Sequence, residues 1–373
     1  MTERTYTFIV TEKCQLNCKY CYLVGKNSDN KMTIEIAKKA VDYIFSEPKL
    51  QECDRVIFDF IGGEPLLEID LISHIMDYIL SVMKKSSHKW LNTYTIRLTT
   101  NGLLYGNPKV QNFIKQYKKH LSISISIDGN KEKNDKNRVY KDGTGSYDQI
   151  IDNVRLWIHQ FPDEGTKMTI SHDDIPYVYE SLIHLVNLGI KKIDVNPVVE
   201  DVWKDNDDIV FQEQLVKFAD YIIDENLWRN LHITCFEDFI GHSVDTQQHL
   251  TPCGSMSLSI DPHGNIYSCI RFAAYSLRSK KPLPIGNVYT GLDKNKVRTL
   301  ELHYNNIVSP NKCIECEVSS GCKWCPAESY DSSSIGSMYT RTTYSCNIHK
   351  AKVRAKNYYF NKLKTIDYNY GRD

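Results

Sequence analysis

The sequence has no surplus of charge of either sign: in 373 residues, 46 Lys and Arg are matched by 46 Asp and Glu. No net field draws the chain to nucleic acid or to an anionic membrane surface, and neither is expected as a partner. The opening MTERTYTFIV has no basic segment leading into an apolar run and no small-residue cleavage site, and no later stretch is long enough to span a membrane. The expected address is the cytoplasm. No period recurs as a solenoid would require. The length is enough for two domains with ample core.

Cysteine is what the chain has in quantity, with twelve. Thiols in a reducing compartment stay free unless a metal claims them, so metal ligation is the leading reading and a disulfide framework is not. Three lie at 14 to 21, seven between 253 and 346, and only Cys53 and Cys235 stand apart. The isolated pair reads as ordinary buried thiols.

As far as about residue 230, strand-like runs alternate with helical patterns. TYTFIV precedes the first cysteines and IEIAKKAVDYIF follows with helical spacing; RVIFDF, YTIRLTTNG, LSISISIDG, KMTISHDD and KKIDVNPVV repeat the scheme. Six strand-helix units imply a parallel sheet, open or curled into a partial barrel. The unusual residues all fall just after strands, so they should meet at the rim of strand C-termini where such folds carry their sites. Beyond about residue 245 the texture changes. SLSIDPHGNIYSC reads as a hairpin, PNKCIECEVSSGCKWCPAESYDSSS is poor in core and must be held by metal, and a helical tail ends the chain.

The first loop reads Cys14-x3-Cys18-x2-Cys21, with Tyr20 before the last cysteine. Structural zinc wants four ligands, and this loop offers three with no His beside them. On a 4Fe-4S cubane, three thiolates leave one iron open. The loop resembles the signature of radical S-adenosylmethionine enzymes. That resemblance implies a partial (β/α)6 barrel over residues 1–235 and S-adenosylmethionine chelating the open iron. An electron from the cluster would then release a 5'-deoxyadenosyl radical, with flavodoxin or ferredoxin as the expected electron donor. It also assigns further contacts. Gly62, Gly63 and Glu64 of GGEP resemble the loop that receives the methionine ammonium. Ser126, Asp128 and Arg138 resemble the peptide-modifying branch, in which the matching Ser and Arg meet the methionine carboxylate. Asn101 and Asn196 are candidates for ribose and adenine. Each has a plainer reading, as a turn or a strand-end residue.

The later set, Cys253-x10-Gly264-x4-Cys269, Cys313-x2-Cys316-x5-Cys322-x2-Cys325 and Cys346, resembles the SPASM domain, a small C-terminal iron-sulfur domain, here over residues 236–373. The resemblance implies two auxiliary 4Fe-4S clusters, three clusters in all. Cys313, Cys316, Cys322 and Cys346 would close one. Cys253, Cys269 and Cys325 would hold the other with an open iron, unless Cys235 closes it. Taken alone, the Cys-x2-Cys pairs fit zinc ribbons equally well. Two residues, not three, separate Cys322 from Cys325, a departure from the usual pattern.

The resemblance implies modification of a ribosomally made, cysteine-rich precursor peptide, with thioether formation between a Cys sulfur and an acceptor carbon as the first expectation. Sulfatase maturation to formylglycine ranks lower because Ile270 and Arg271, with no carboxylate, follow Cys269. Carbon-to-carbon peptide crosslinking stays open. A polycluster electron carrier is the non-enzyme alternative. Thirteen residues before Cys14 are too few for an N-terminal leader-binding domain, so precursor recognition is expected elsewhere.

Overall fold

A computed structural model describes residues 2–26, 28–237, 240–243, 257–305, 309–332 and 334–366. Strand β1 (Glu3–Thr11) is buried along most of its length, as its near-continuous apolar run requires of a central parallel strand. β2 (Arg55–Gly62), β3 (Tyr94–Thr100) and β4 (Leu121–Ile125) follow it in parallel register. Helices α1 (Ile34–Ser46), α2 (Ile69–Lys85) and α3 (Pro108–Tyr117) make the crossovers. Helix α1 shows the local logic: Thr33 caps it by accepting from the Ile36 N–H, and Ala37, Ala40, Val41 and Ile44 form one buried stripe.

After β4 come α4 (Lys131–Asn137) and α5 (Tyr147–Gln160), then β5 (Gly165–Ile170), α6 (Val178–Asn187), β6 (Lys192–Pro197), α7 (Asp207–Asp224) and β7 (His232–Ile233). β5, β6 and β7 form a second parallel sheet. The six strand-helix units are present. Between β4 and β5 a side chain makes the joint: Thr166 Oγ1 donates to the Ile125 carbonyl at 2.7 Å and accepts from the Ile127 N–H at 3.3 Å.

The far edge of β1 is covered by the C-terminal third. β8 (Ser257–Ile260) pairs with β1 in parallel, and β9 (Asn265–Tyr267), β10 (Gly286–Asn287) and β11 (Gly291–Leu292) extend one eight-stranded sheet. The hairpin expected at SLSIDPHGNIYSC is therefore there. Asp261 Oδ1 ties its turn by accepting from the His263 and Asn265 N–H groups. What the sequence concealed is its partner, a strand some 250 residues earlier.

Short helices α8 (Lys294–Asn305), α9 (Asn311–Ile314) and α10 (Pro326–Asp331) precede the long α11 (Cys346–Ile366). Helix α11 lies along α7, with Arg354 2.9 Å from Asp208, Lys362 2.7 Å from Asp220, and Tyr359 stacked on Phe236 at 4.6 Å. Cys53 and Cys235 are buried in the main core. Among the described residues no helix is long and apolar enough to cross a membrane.

Candidate active site

The C-terminal ends of the parallel strands surround a cavity of about 350 Å³. Cys14, Cys18, Tyr20 and Cys21 line it from the loop after β1, Gly62 from the end of β2, Gly63 and Glu64 from the loop that follows, and Asn101 from just past β3. Ser126 and Arg138 follow β4, and Asn196 sits at the end of β6. Residues chosen from five separate stretches of sequence thus meet at one place.

The cysteine loop is gripped from three sides. Asn17 and Lys19 N–H groups donate to the Val139 and Asn137 carbonyls at 2.6 and 3.0 Å. At its base, Gly63 and Glu64 N–H groups donate to the Thr11 and Lys13 carbonyls, each at 2.9 Å. At its far end Gly25 N–H donates to the Tyr275 carbonyl at 2.8 Å. The glycines of GGEP were expected to admit a cofactor, but their immediate work is against β1. A Cβ on Gly62 would stand 2.2 Å from the Thr11 carbonyl oxygen, and one on Gly63 would stand 2.4 Å from that of Lys13.

Glu64 is buried and three of its acceptor positions are filled. Oε1 takes the Leu66 N–H and the Thr100 hydroxyl, and Oε2 takes the Asn101 N–H at 2.7 Å. A carboxylate has about four such positions, so one remains for the cavity. Burial pushes its pKa up to about 7, against the hydrogen bonds that pull it down. Asn101 is held by protein: its amide donates to Gln15 at 3.2 Å and its Oδ1 accepts the Leu103 N–H at 3.0 Å.

Asp128 departs from its expected role as a direct contact. It is fully buried and does not line the cavity. Its Oδ1 accepts the Thr169 N–H at 3.0 Å, and its Oδ2 accepts the Tyr20 hydroxyl and pairs with Arg138 Nε at 3.1 Å, as an ion pair unaligned for a hydrogen bond. Asp128 therefore sets Tyr20 and Arg138, which do face the cavity. Arg138 lies over the Tyr20 ring at 5.7 Å, and among the described residues no acceptor takes its terminal N–H groups.

Lys26, Lys167, Thr169, Glu200 and Arg271 line the same cavity and were not picked out as site residues from the sequence. Arg271 had been noted only as a residue that is not a carboxylate. It pairs with Glu200 at 2.8 Å, lies 3.9 Å from Glu328, and stacks over Tyr22 at 4.2 Å. Arg278 closes the ring of charges, 3.2 Å from Glu328 and 4.0 Å from Glu200. The signal that could have found Glu200 was its place just past NPVV at the β6 rim.

The C-terminal thiols divide into two places. Cys313, Cys316, Cys322 and Cys346 line a second cavity together with Lys323, Arg341 and His349. Cys269 and Cys325 pack, with Cys21, against one small apolar cluster of Ile9, Leu23, Tyr267, Phe272 and Tyr275. Cys253 lies outside the described residues. Cys235 is influenced by Lys352, Glu237 and Asp194, whereas Cys269 is influenced by Cys325 and Arg271, so the two thiols occupy different surroundings.

No three His, Cys, Asp or Glu side chains among the described residues converge tightly enough to chelate a single ion. The thiols are spread around cavities. Burial, with Glu64 nearby, pushes the Cys14 thiol up to about 12, so a thiolate there needs a cation to hold it. Among the described residues seven buried polar atoms lack hydrogen-bond partners: Arg138 Nε, Trp203 Nε1, Glu237 Oε1, Tyr275 Oη, Trp324 Nε1, Ser329 Oγ and His349 Nδ1. Trp324 and Ser329 flank Cys325 in sequence, His349 lines the second cavity, and Tyr275 lies within electrostatic reach of Cys21 and Cys269. Buried donors such as the Trp324 indole N–H and the Tyr275 and Ser329 hydroxyls call for acceptors, which the sulfurs of thiolate-ligated iron centres supply, whereas His349 already gives its Nε2–H to the Val318 carbonyl and leaves Nδ1 as an acceptor.

Residues 8–182 match the Radical SAM superfamily. The chain carries a radical SAM domain. Over 342 residues it is 23% identical to the radical SAM cyclopropyl synthase TigE of Paramaledivibacter caminithermalis, covering 84% of this chain and 66% of TigE. Over 292 residues it is 24% identical to the subtilosin biosynthesis protein AlbA of Bacillus subtilis, covering 76% of this chain and 57% of AlbA. The chain thus spans between a half and two thirds of the length of these curated relatives. The fold matches that of anSMEcpe with bound AdoMet and Cp18Cys peptide at a TM-score of 0.72 and 17% identity, covering 98% of this chain and 100% of that one. The radical SAM domain and the strands that flank it therefore have a known fold, which by itself leaves the substrate open.

Proposed function

We propose that this radical SAM chain modifies a ribosomally made, cysteine-rich precursor peptide, forming thioether crosslinks between Cys sulfur and an acceptor-residue carbon. The observation that carries the reading is the single cavity that gathers three thiols, Glu64, Ser126, Arg138 and Asn196 at one rim and continues to Arg271 beside the C-terminal thiols. Cys14, Cys18 and Cys21 would hold the 4Fe-4S cluster. Cys253, Cys269 and Cys325 would hold one auxiliary cluster, and Cys313, Cys316, Cys322 and Cys346 the other.

When bound, the first cluster and S-adenosylmethionine supply a 5'-deoxyadenosyl radical, which removes hydrogen from carbon. The chain's own residues orient what is bound. Arg138, held by Asp128, offers its terminal N–H groups to a carboxylate, a bidentate match in which Arg excels. Ser126 lines the same cavity. Glu64 keeps one acceptor position for an ammonium, Gly62 and Gly63 keep the loop close, and Tyr20, Asn101 and Asn196 shape the remaining wall. Flavodoxin or ferredoxin is the proposed electron donor.

AlbA, by its name, serves the biosynthesis of a bacteriocin, which supports a peptide substrate; TigE, a cyclopropyl synthase, favours carbon-to-carbon bonding as the second reading. Sulfatase maturation is less favoured, because Ile270 and Arg271, and no carboxylate, directly follow Cys269. The test is anaerobic co-expression with a short cysteine-repeat reading frame beside the gene. A thioether product is lighter by two hydrogens per ring and has lost one alkylatable thiol per ring. A carbon-to-carbon product shows the same mass loss with every thiol still alkylatable, and deoxyadenosine formation with unchanged peptide rejects both.

A further inference from the structure

Among the described residues one positive charge in the cavity, Lys167, makes no hydrogen bond or ion pair. Lys167 and Asp194 are cross-strand neighbours on β5 and β6, and the next pair on that face is Thr169 with Asn196. Lys167, Thr169 and Asn196 all line the cavity. Asp194 is already engaged, since its Oδ1 accepts the Thr234 hydroxyl at 3.1 Å and lies 4.0 Å from Lys323 Nζ. The other cations of the cavity are committed too: Arg138 to Asp128, Arg271 to Glu200, and Lys26 to the Cys18 carbonyl. Among the described residues Lys167 makes no hydrogen bond or ion pair of its own. Desolvation first, and the neighbouring Lys323, Arg271 and Arg138 after it, lower its pKa against the pull of Asp194. Lys167 is exposed at the cavity wall and its cross-strand acidic neighbour Asp194 is already engaged, so its ammonium is available to an anion brought in from outside.

We propose that Lys167 forms an anion subsite that takes a carboxylate of the substrate, either an Asp or Glu side chain near the modified residue or a C-terminal carboxylate. It stands two residues, roughly 7 Å, down the strand from the Thr169 level of the rim, and is a side chain distinct from Ser126 and Arg138, to which the methionine carboxylate is assigned. Only the source of the carboxylate rests on the peptide reading; the subsite itself rests on the cavity.

The experiment uses the iron-loaded enzyme with S-adenosylmethionine present and titrates succinate by calorimetry. Saturable binding to the wild type is expected, with affinity falling at least about tenfold in Lys167→Met and recovering in Lys167→Arg, the size of one charge-assisted contact. Affinity for S-adenosylmethionine should be the same in all three, which also reports that the variants are folded. Pentapeptides Ac-Ala-Cys-Ala-Asp-Ala-amide and its Asn counterpart test the side-chain source, and Ac-Ala-Cys-Ala-Ala-Ala as free acid and as amide tests the terminal one. Wild type should prefer the acidic member of one pair, and Lys167→Met should not. Absence of saturable succinate binding overturns the subsite, as does equal binding to Lys167→Met or a parallel loss of S-adenosylmethionine affinity. Succinate binding that depends on Lys167, with no peptide bound, upholds the subsite and counts against the peptide reading.

Discussion

Two buried carboxylates carry the account at the scale of the residue, and they behave differently. Asp128 holds a charge pair out of water, so removing its charge leaves Arg138 buried and alone. Asp128→Asn should cost about 3 kcal/mol in denaturant unfolding, the order seen when a buried pair loses one partner, and should weaken S-adenosylmethionine binding at least about tenfold. Glu64 faces the ligand more directly. Its pKa is raised to about 7 by burial, so in the free enzyme it becomes neutral as pH falls through that value. An ammonium needs the ionised form. Affinity for S-adenosylmethionine, measured by calorimetry, should therefore hold above about pH 7 and decline toward tenfold per unit below it. Glu64→Gln should bind weakly and flatten that decline.

Among the elements, the loop after β2 and helix α11 are the ones whose failure would be felt at the thiols. Gly63→Ala puts a methyl against the Lys13 carbonyl, in backbone that cannot give way. It should destabilise the chain by about 1–3 kcal/mol and lower iron retention at the N-terminal centre, read from its spin-resonance intensity. Helix α11 begins at Cys346 and is fixed to the barrel side through Tyr359 and Phe236. Tyr359→Ala should cost about 3 kcal/mol and reduce iron at the proposed C-terminal centre while leaving the proposed N-terminal one loaded. The elements themselves were largely legible beforehand. Apolar runs of strand length, punctuated by GGEP, TTNG and SIDG, gave away six units because turn chemistry is local. The β1–β8 pairing was hidden because nothing local records which distant strand a segment will meet.

For the molecule as a whole, the same division between local and distant explains what was readable at the site. The cysteines announced themselves through spacing, and Glu64, Ser126, Arg138 and Asn196 only through the resemblance of their loops to a known family; the fold brings the ones it describes to two cavities and one apolar cluster. Lys167, Glu200 and Arg271 carry no motif; a lone charged residue in a strand or loop resembles any surface residue until the chain closes around it. Asp128 carried a motif, yet its place is behind the wall, where it works through Tyr20 and Arg138. The whole account depends on one iron of the N-terminal centre being left for a small-molecule chelate by Cys14, Cys18 and Cys21. Spin-resonance spectroscopy of the reduced N-terminal centre, with the C-terminal cysteines replaced and S-adenosylmethionine added, tests this most directly. The account predicts that the added ligand changes the signal, whereas an identical signal with and without it would contradict the central claim.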